Sequence, residues 1–271
     1  MESTPKIDQT FIEDPLRVLR GIRIAAKYNL SISPATYDAM NRNANRLSII
    51  SRERIAAEFD KMLTCDNVEY ALRTLWEIGA MRYVVEEYAD IKPKMRMQFY
   101  KRLKYARNCD YKTKLAIFLY NAVNPEKAMR ELKYSNDIID DVMFIIKQRD
   151  FLENHTSTSS SDVRELQYKC KTAEMFHRVV IAHACATVEY IEDGYFAYKT
   201  NWDTESDMLV KEKTDMFGYR LPVNGEDVMK ELGIGPSAGV RVVLNALIMC
   251  AYHNPKISKT ECLDKMRNLI I

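Results

Sequence analysis

The chain has 271 residues, with 40 lysines and arginines against 38 aspartates and glutamates and 47% hydrophobic positions. Only eight residues are glycine and six of these lie beyond residue 190, which disfavours a phosphate-binding loop, a Rossmann fingerprint or a strand-rich sandwich in the first two thirds, since each needs glycine for left-handed or closely approached backbone. No apolar run reaches the roughly 18 residues that cross a bilayer, no basic-then-apolar leader follows Met1, and six cysteines without a C-x-x-C pair read as reduced thiols of a cytoplasmic protein.

What remains is an all-α fold, an elongated multi-helix array. Asp14-Pro15 reads as a helix cap followed by the preferred first-turn proline. In the helix that follows, Val18, Leu19, Ile22, Ala25 and Ala26 share one face, and Arg17, Arg20, Arg23 and Lys27 form a cationic stripe on another. Asn29 and Ser33-Pro34 break it. A second helix runs through Tyr37, Met40 and Ala44, and Ser51 caps a third that carries Ile55, Phe59, Met62 and Leu63 at helical spacing. Residues 66–150 read as further amphipathic helices, among them 68–78, 112–120 and 137–147, with breaks at Lys92-Pro93 and Asn124-Pro125. Residues 155–162 are linker-like, being polar and free of large apolar side chains. A long helix is expected over 163–191, a hinge or flexible connection near 201–213, and two or three short helices from Leu221 onward. No repeat of fixed period is present. The expected segments are a neck (1–64), a body (65–200) and a tail (201–271).

Charge is unevenly spread. Residues 1–150 hold 26 basic and 21 acidic side chains, and the remainder hold 14 and 17. The excess is concentrated between Lys92 and Lys114, where nine Lys/Arg face the single acid Asp110, with Phe99, Tyr100, Tyr105 and Tyr111 interleaved. One reading is a solvated helix face anchored by its aromatics. The other is a surface that tracks an RNA backbone, where each neutralised phosphate releases counterions and aromatics stack on bases. Cys170, His177, His183 and Cys185 fit no common zinc spacing and read as core residues of one apolar helix. Asp137, Asp140, Asp141, Asp203 and Asp207 read as surface charge.

The sharpest local feature is Phe11-Ile12-Glu13-Asp14-Pro15-Leu16-Arg17-Val18-Leu19-Arg20. Asp14 and Arg17 lie three apart at a helix start, so one accepts and one donates on neighbouring positions. Cytosine and adenine both present an exocyclic amino donor beside a ring-nitrogen acceptor, and an Asp/Arg pair satisfies that order, which guanine and uracil reverse. A purely structural reading, cap plus first-turn proline plus solvated arginines, accounts for the same residues.

The stretch from Glu13 to Ala26, followed by Ile32-Ser33-Pro34-Ala35-Thr36 and Ser51-Arg52-Glu53-Arg54-Ile55-Ala56-Ala57-Glu58, resembles the neck of class II CCA-adding enzymes (tRNA nucleotidyltransferases). It is also similar to the neck that bacterial poly(A) polymerases share with them. Residues 223–229 with Leu232-Gly233-Ile234-Gly235-Pro236 resemble the start of that family's tail. The resemblance implies a template of Glu13, Asp14 and Arg17 that reads incoming CTP or ATP, with Arg20 as a nucleotide or phosphate contact. It implies tRNA as partner, clasped along the acceptor–T arm, with Arg23, Lys101, Arg102, Lys104, Arg107, Gly233 and Gly235 as candidate RNA contacts. Class II enzymes carry a β-sheet catalytic head before the neck, with an Asp-x-Asp pair holding two metal ions. Only ten residues precede Phe11, so the expectation is a chain that holds no cofactor itself, meets Mg only through a catalytic head domain or subunit, and does not transfer nucleotides alone. No membrane partner is expected.

Two other readings stay open. Val228-x-x-x-Leu232-Gly233-Ile234-Gly235-Pro236 leading into an apolar helix resembles a helix-hairpin-helix, whose turn offers backbone N–H groups to a phosphate, and would suit a non-catalytic nucleic-acid-binding protein. The third reading is a helical interaction scaffold.

Overall fold

The structure, a computed structural model, describes residues 6–155, 159–187 and 201–268. All regular structure among them is helical. In chain order the helices are α1 (Lys6–Glu13), α2 (Leu16–Tyr28), α3 (Pro34–Asn43), α4 (Arg52–Leu63), α5 (Val68–Glu77), α6 (Pro93–Tyr105), α7 (Tyr111–Leu119), α8 (Pro125–Glu131) and α9 (Asn136–Lys147). They continue as α10 (Arg149–Asn154), α11 (Ser160–Cys170), α12 (Ala173–Thr187), α13 (Asn201–Lys211), α14 (Gly225–Leu232), α15 (Ala238–His253) and α16 (Lys259–Asn268). Short 3-10 turns at Ala44–Ile49, Ala80–Tyr83 and Glu86–Tyr88 join the early helices. Contacts divide the chain into two units: the described residues of 1–149 with 181–196, and those of 150–180 with 197–271.

In the first unit α2 packs on α4 and α5, and α7 on α4, α6 and α9. Its centre is aromatic. Phe59, Phe99 and Phe118 meet Tyr88 and Trp76 in edge-on and tilted contacts at 4.9–5.7 Å. The polar ends of that cluster are satisfied, because Trp76 Nε1 donates to the Tyr88 carbonyl at 2.7 Å and Tyr88 Oη to the Phe118 carbonyl at 3.1 Å. Each such side chain, fully buried, contributes about 1.5–3 kcal/mol. Phe99 and Tyr100 are therefore core residues, and the stacking role considered for them is replaced by this packing. The α2 helix follows its periodicity: Leu16, Val18, Leu19, Ile22, Ala25 and Ala26 are buried, and Asn29 in the left-handed conformation (φ 51°) ends it.

The second unit has its own core of Met216, Val223, Val228, Leu247, Ala251, Ile257, Cys262 and Met266. Beneath it Gln167 donates to Ser206 Oγ at 2.9 Å and accepts from the Met216 amide at 3.0 Å.

Several expectations are corrected. The helix expected over 163–191 is two helices: Lys171 closes α11 at φ 64°, and Thr172 Oγ1 accepts from the Met175 amide to start α12; residues 188–191 lie outside the described ones. The expected hinge near 201–213 is helix α13. Its inner face holds Trp202, Ser206 and Leu209 with Asp203, a polar mixture that hid the helical period. Asp203 is buried and accepts from or pairs with His177 Nδ1 at 3.1 Å, so it is not surface charge. His177 and His183 are not core residues either; His183 Nδ1 pairs with the Tyr120 hydroxyl at 2.8 Å, while Cys170 and Cys185 are buried as expected. The linker-like stretch ends in a capping box, Ser159 with Asp162, that opens α11. Ser51 occupies the cap position of α4 without a side-chain capping bond. Helix α1 was not foreseen. Its Asp8 is buried and accepts from Arg42 Nε and Nη2 (3.1 and 2.8 Å) and from Asn43 Nδ2 (2.9 Å), tying α1 to α3.

Candidate functional site

The α1–α2 junction gathers charge. Glu13 ends α1, Asp14 and Pro15 form the corner, and the Asp14 carboxylate accepts from the Leu16 amide at 3.3 Å. The helix thus begins one residue later than the sequence suggested, with Asp14 still serving its first turn. Thr10 accepts the Asp14 amide through its carbonyl at 3.4 Å, so the two helices meet at a single sharp bend.

Asp14 and Arg17 do not pair with each other. Arg17 Nη1 donates to the Thr10 carbonyl at 3.1 Å and lies 3.8 Å from Glu13, on the rim of the bend. Asp14 stands between Arg20 at 3.8 Å and Arg54 at 3.6 Å. Both distances exceed a good charged hydrogen bond, so the two arginines hold the carboxylate electrostatically, and beyond the bond from the Leu16 amide it keeps acceptor capacity. Its side chain is 24% exposed and that of Arg17 45%, so both face solvent in part.

A second carboxylate fixes the stripe from below. Glu58 of α4 is 5% exposed and accepts from Arg23 Nε at 2.7 Å and Arg20 Nε at 3.4 Å, with Lys61 at 3.8 Å. Five cations (Arg17, Arg20, Arg23, Arg54 and Lys61) thus surround three carboxylates (Glu13, Asp14 and Glu58), and the cluster keeps a positive balance suited to a polyanion. In the sequence Glu58 and Arg54 stand out only as letters of a motif. The signal available was their spacing: they lie on α4, four apart, on the face that packs against α2.

The other candidate residues are dispersed. Lys101, Lys104 and Arg107 are exposed on or just beyond α6. Arg102 is 9% exposed on the inner side of that helix, and with the Asn121 amide oxygen turned toward it both of its terminal nitrogens are accepted, at 2.7 and 3.1 Å. Buried in this way, its guanidinium is a packing element, so Arg102 is set aside as an RNA contact. Gly233 sits in the second unit as the left-handed cap of α14 (φ 63°), its amide bonded to the Met229 carbonyl. Residues 233–237, including Gly235, form an exposed turn before α15. Among the described residues no group of three or more His, Cys, Asp or Glu is placed to hold a metal ion, and no helix is long and apolar enough to cross a membrane.

Residues 29–92 match the family described as probable RNA and SrmB-binding site of polymerase A. The tRNA nucleotidyltransferase cca2 of Schizosaccharomyces pombe is 22% identical over 307 aligned positions, which take in 97% of this chain and 62% of that protein. The Bacillus stearothermophilus CCA-adding enzyme in complex with CTP shares the fold with a TM-score of 0.77 and 19% identity, over 98% of this chain and 64% of that one. For the Thermotoga maritima CCA-adding enzyme complexed with tRNA the TM-score is 0.60 and the identity 14%, over 97% and 63%. The chain therefore spans about three fifths of the length of the relatives it matches.

Proposed function

We infer, for a chain that belongs to the CCA-adding enzyme family, that the α1–α2 junction selects CTP and ATP while the helical segments hold the acceptor–T arm of tRNA. The observation that carries the reading is the charged cluster itself: a part-exposed acceptor, Asp14, and a part-exposed donor, Arg17, beside arginines that a buried Glu58 holds in place. In this reading Asp14 accepts from the exocyclic amine of cytosine or adenine and Arg17 donates to the adjacent ring nitrogen. Guanine and uracil set a carbonyl acceptor against the Asp14 carboxylate and a ring N–H donor against Arg17. Discrimination of this kind is worth about 1–3 kcal/mol per bidentate contact. Glu13 keeps Arg17 at the rim, and Arg20 and Arg23 supply positive charge toward the triphosphate. Lys101, Lys104 and Arg107 contact RNA phosphates, and in the exposed turn that Gly233 opens the Gly235 N–H is offered to another, the Gly233 amide being taken by the Met229 carbonyl.

Nucleotidyl transfer uses metal ions, which activate the attacking hydroxyl and neutralise the triphosphate. Among the described residues no three or more His, Cys, Asp or Glu side chains come together as a metal site. We place the metal-holding carboxylates in a catalytic head, in the part of the family's length this chain does not span or in a separate subunit.

The test is equilibrium binding of the four ribonucleoside triphosphates to the full-length protein with a tRNA lacking its 3′ CCA. CTP and ATP should bind at least about tenfold tighter than GTP and UTP, as one bidentate contact requires. Affinity for the tRNA should fall steeply with salt. Equal affinities would remove the template reading, and salt-independent tRNA binding would remove the RNA reading.

A further inference from the structure

Helix α2 ends in an exposed apolar ridge that the nucleotide-selecting junction does not use. At about 100° per residue, Arg17, Ile24 and Tyr28 fall within about 20° of one line along the helix, and all three are exposed. Leu30 follows just past the helix end and is exposed as well. The end itself is held firmly. Asn29 closes it in the left-handed conformation, and the Leu30 amide donates to the Ala25 carbonyl at 2.9 Å. Asn67 Nδ2 donates to Asn29 Oδ1 at 3.0 Å, and the Ile32 amide donates to Tyr70 Oη at 3.3 Å.

An end of this kind sets the residue after the left-handed one against the last helical turn, so Leu30 and Ile24 have a local reason to be apolar. Tyr28 has none. Among the described residues it is the one phenylalanine, tyrosine or tryptophan that is exposed, at 62%. Its hydroxyl makes no hydrogen bond among them, whereas Tyr37, Tyr70, Tyr88 and Tyr134 each set theirs on a partner. The Lys27 ammonium lies over the Tyr28 ring, 5.3 Å from its centroid, and forms no ion pair among the described residues. Asp66 is near enough to act, with Lys27, on the Cys65 thiol, so that cation is partly offset and the ring is the stronger feature.

We propose that Tyr28 is a stacking platform for an unpaired base of the RNA, near its 3′ end. The inference rests on the RNA-binding role given above and deepens it, adding a base contact where that role names phosphate contacts. Every base has a π-face, so an exposed ring beside a cation takes one without reading its sequence. Eleven residues at about 1.5 Å rise put Tyr28 about 16 Å from Arg17 along α2. That is far enough for a short single strand to lie between the platform and the nucleotide being selected. A protein partner fits less well. Stable protein interfaces bury about 800 Å² per side with roughly 20–30 residues, and the patch offers Ile24, Tyr28 and Leu30. One base on one ring is by contrast a complete contact.

The experiment titrates the full-length protein, Tyr28→Leu and Tyr28→Phe with two RNAs over a range of salt. One is a tRNA lacking only its 3′-terminal A, whose unpaired strand leads to the 3′ hydroxyl. The other is the same tRNA cut flush at the end of its acceptor stem, and CTP alone is the third ligand. For the unpaired end Tyr28→Leu should lose about fivefold to a hundredfold in affinity, the worth of one stacked base, and Tyr28→Phe should keep the wild-type value. The slope of log K against log salt should not change, because no phosphate contact is lost. On the flush RNA and on CTP the three proteins should bind alike, and all should keep the wild-type thermal midpoint. Equal affinity of Tyr28→Leu and wild type for the unpaired end overturns the platform. So does a loss that Tyr28→Phe shares, or one that is equal on the flush RNA. A loss with a shallower slope overturns it too, since that marks a phosphate contact by Lys27 instead. A loss confined to CTP puts the free nucleotide on the ring and overturns RNA as the occupant. All of these leave the RNA reading standing. If wild-type protein binds neither RNA in a salt-dependent way, that reading fails and the platform falls with it.

Discussion

Replacing Glu58 by glutamine removes the charge that holds the arginine stripe while keeping the side chain's size. Of its three cationic partners, Lys61 and Arg20 are 59% and 45% exposed in their side chains, and Arg23 only 21%. Exposed pairs contribute little against water and salt, so the 2.7 Å bond from Arg23 Nε dominates. A charge-assisted hydrogen bond to a buried carboxylate is worth about 1.5–3 kcal/mol, and the glutamine amide turns an N–H donor toward one of the guanidinium groups. The expected cost is about 2 kcal/mol, or a fall of about 4–8 °C in thermal midpoint for a chain of this size. CTP affinity should drop several-fold with it, because Arg20 and Arg23 lose their fixed positions, while Lys61→Ala should change the midpoint by less than about 1 °C. Differential scanning calorimetry with parallel CTP titrations reads both quantities. If E58Q matches Lys61→Ala in both, the arginines are held by something other than Glu58 and the argument for a prepositioned stripe fails.

Other expectations follow from the same geometry. Burial pushes the Asp60 carboxyl up to about 6, against the opposing hydrogen bond from the Tyr134 hydroxyl and the charge of Lys61. A carboxyl raised in the folded state binds more protons there than when unfolded, so stability should fall as pH rises from about 4 to 6, by about 3 kcal/mol. Asp60→Asn should flatten that limb in urea unfolding followed across pH. The Asp203 carboxylate raises the His177 pKa above its ordinary value, so the pair's contribution is complete below pH 6.5 or so and is lost as pH rises through the raised value. In NMR titrations Asp203→Asn should bring the His177 imidazole back down. Gly233→Ala puts a β-carbon at φ 63° with no atom within 4 Å to clash, so chemical unfolding should show the backbone cost alone, about 1–2 kcal/mol.

Much of the first unit was legible because its helices obey local rules. Asn29, Ser33-Pro34 and the period of Val18, Leu19, Ile22, Ala25 and Ala26 set α2 and α3 without any tertiary knowledge. What escaped was polar burial. Helix α1 is short and faces inward with Asp8 as well as Phe11, and α13 buries Asp203 and Ser206, so neither shows an apolar stripe. The break at Lys171 was equally hidden, since lysine is an unusual residue for a left-handed cap and only the Thr172 capping bond makes sense of it. At the site, sequence spacing brought Asp14 and Arg17 together as a pair, whereas the bend at Pro15 sends Arg17 to Glu13 and leaves Asp14 to Arg20 and Arg54. Those partners come from a helix turn and from α4, some 40 residues away, and no local pattern encodes them. Arg102 illustrates the converse: in a run of nine cations two, Arg102 and Lys114, are buried, and composition cannot say which.

The central claim is that Asp14 and Arg17 read the nucleobase. Its most direct test is the ratio of CTP to UTP affinity for wild-type protein, Arg17→Ala and Asp14→Asn with the same tRNA. CTP and UTP carry the same sugar and phosphates, so the cationic cluster acts equally on both. The account predicts a wild-type ratio of at least about ten, as one bidentate contact supplies, collapsing toward one in both variants while UTP affinity changes little. A ratio that survives in both variants, or one near unity in the wild type, contradicts it.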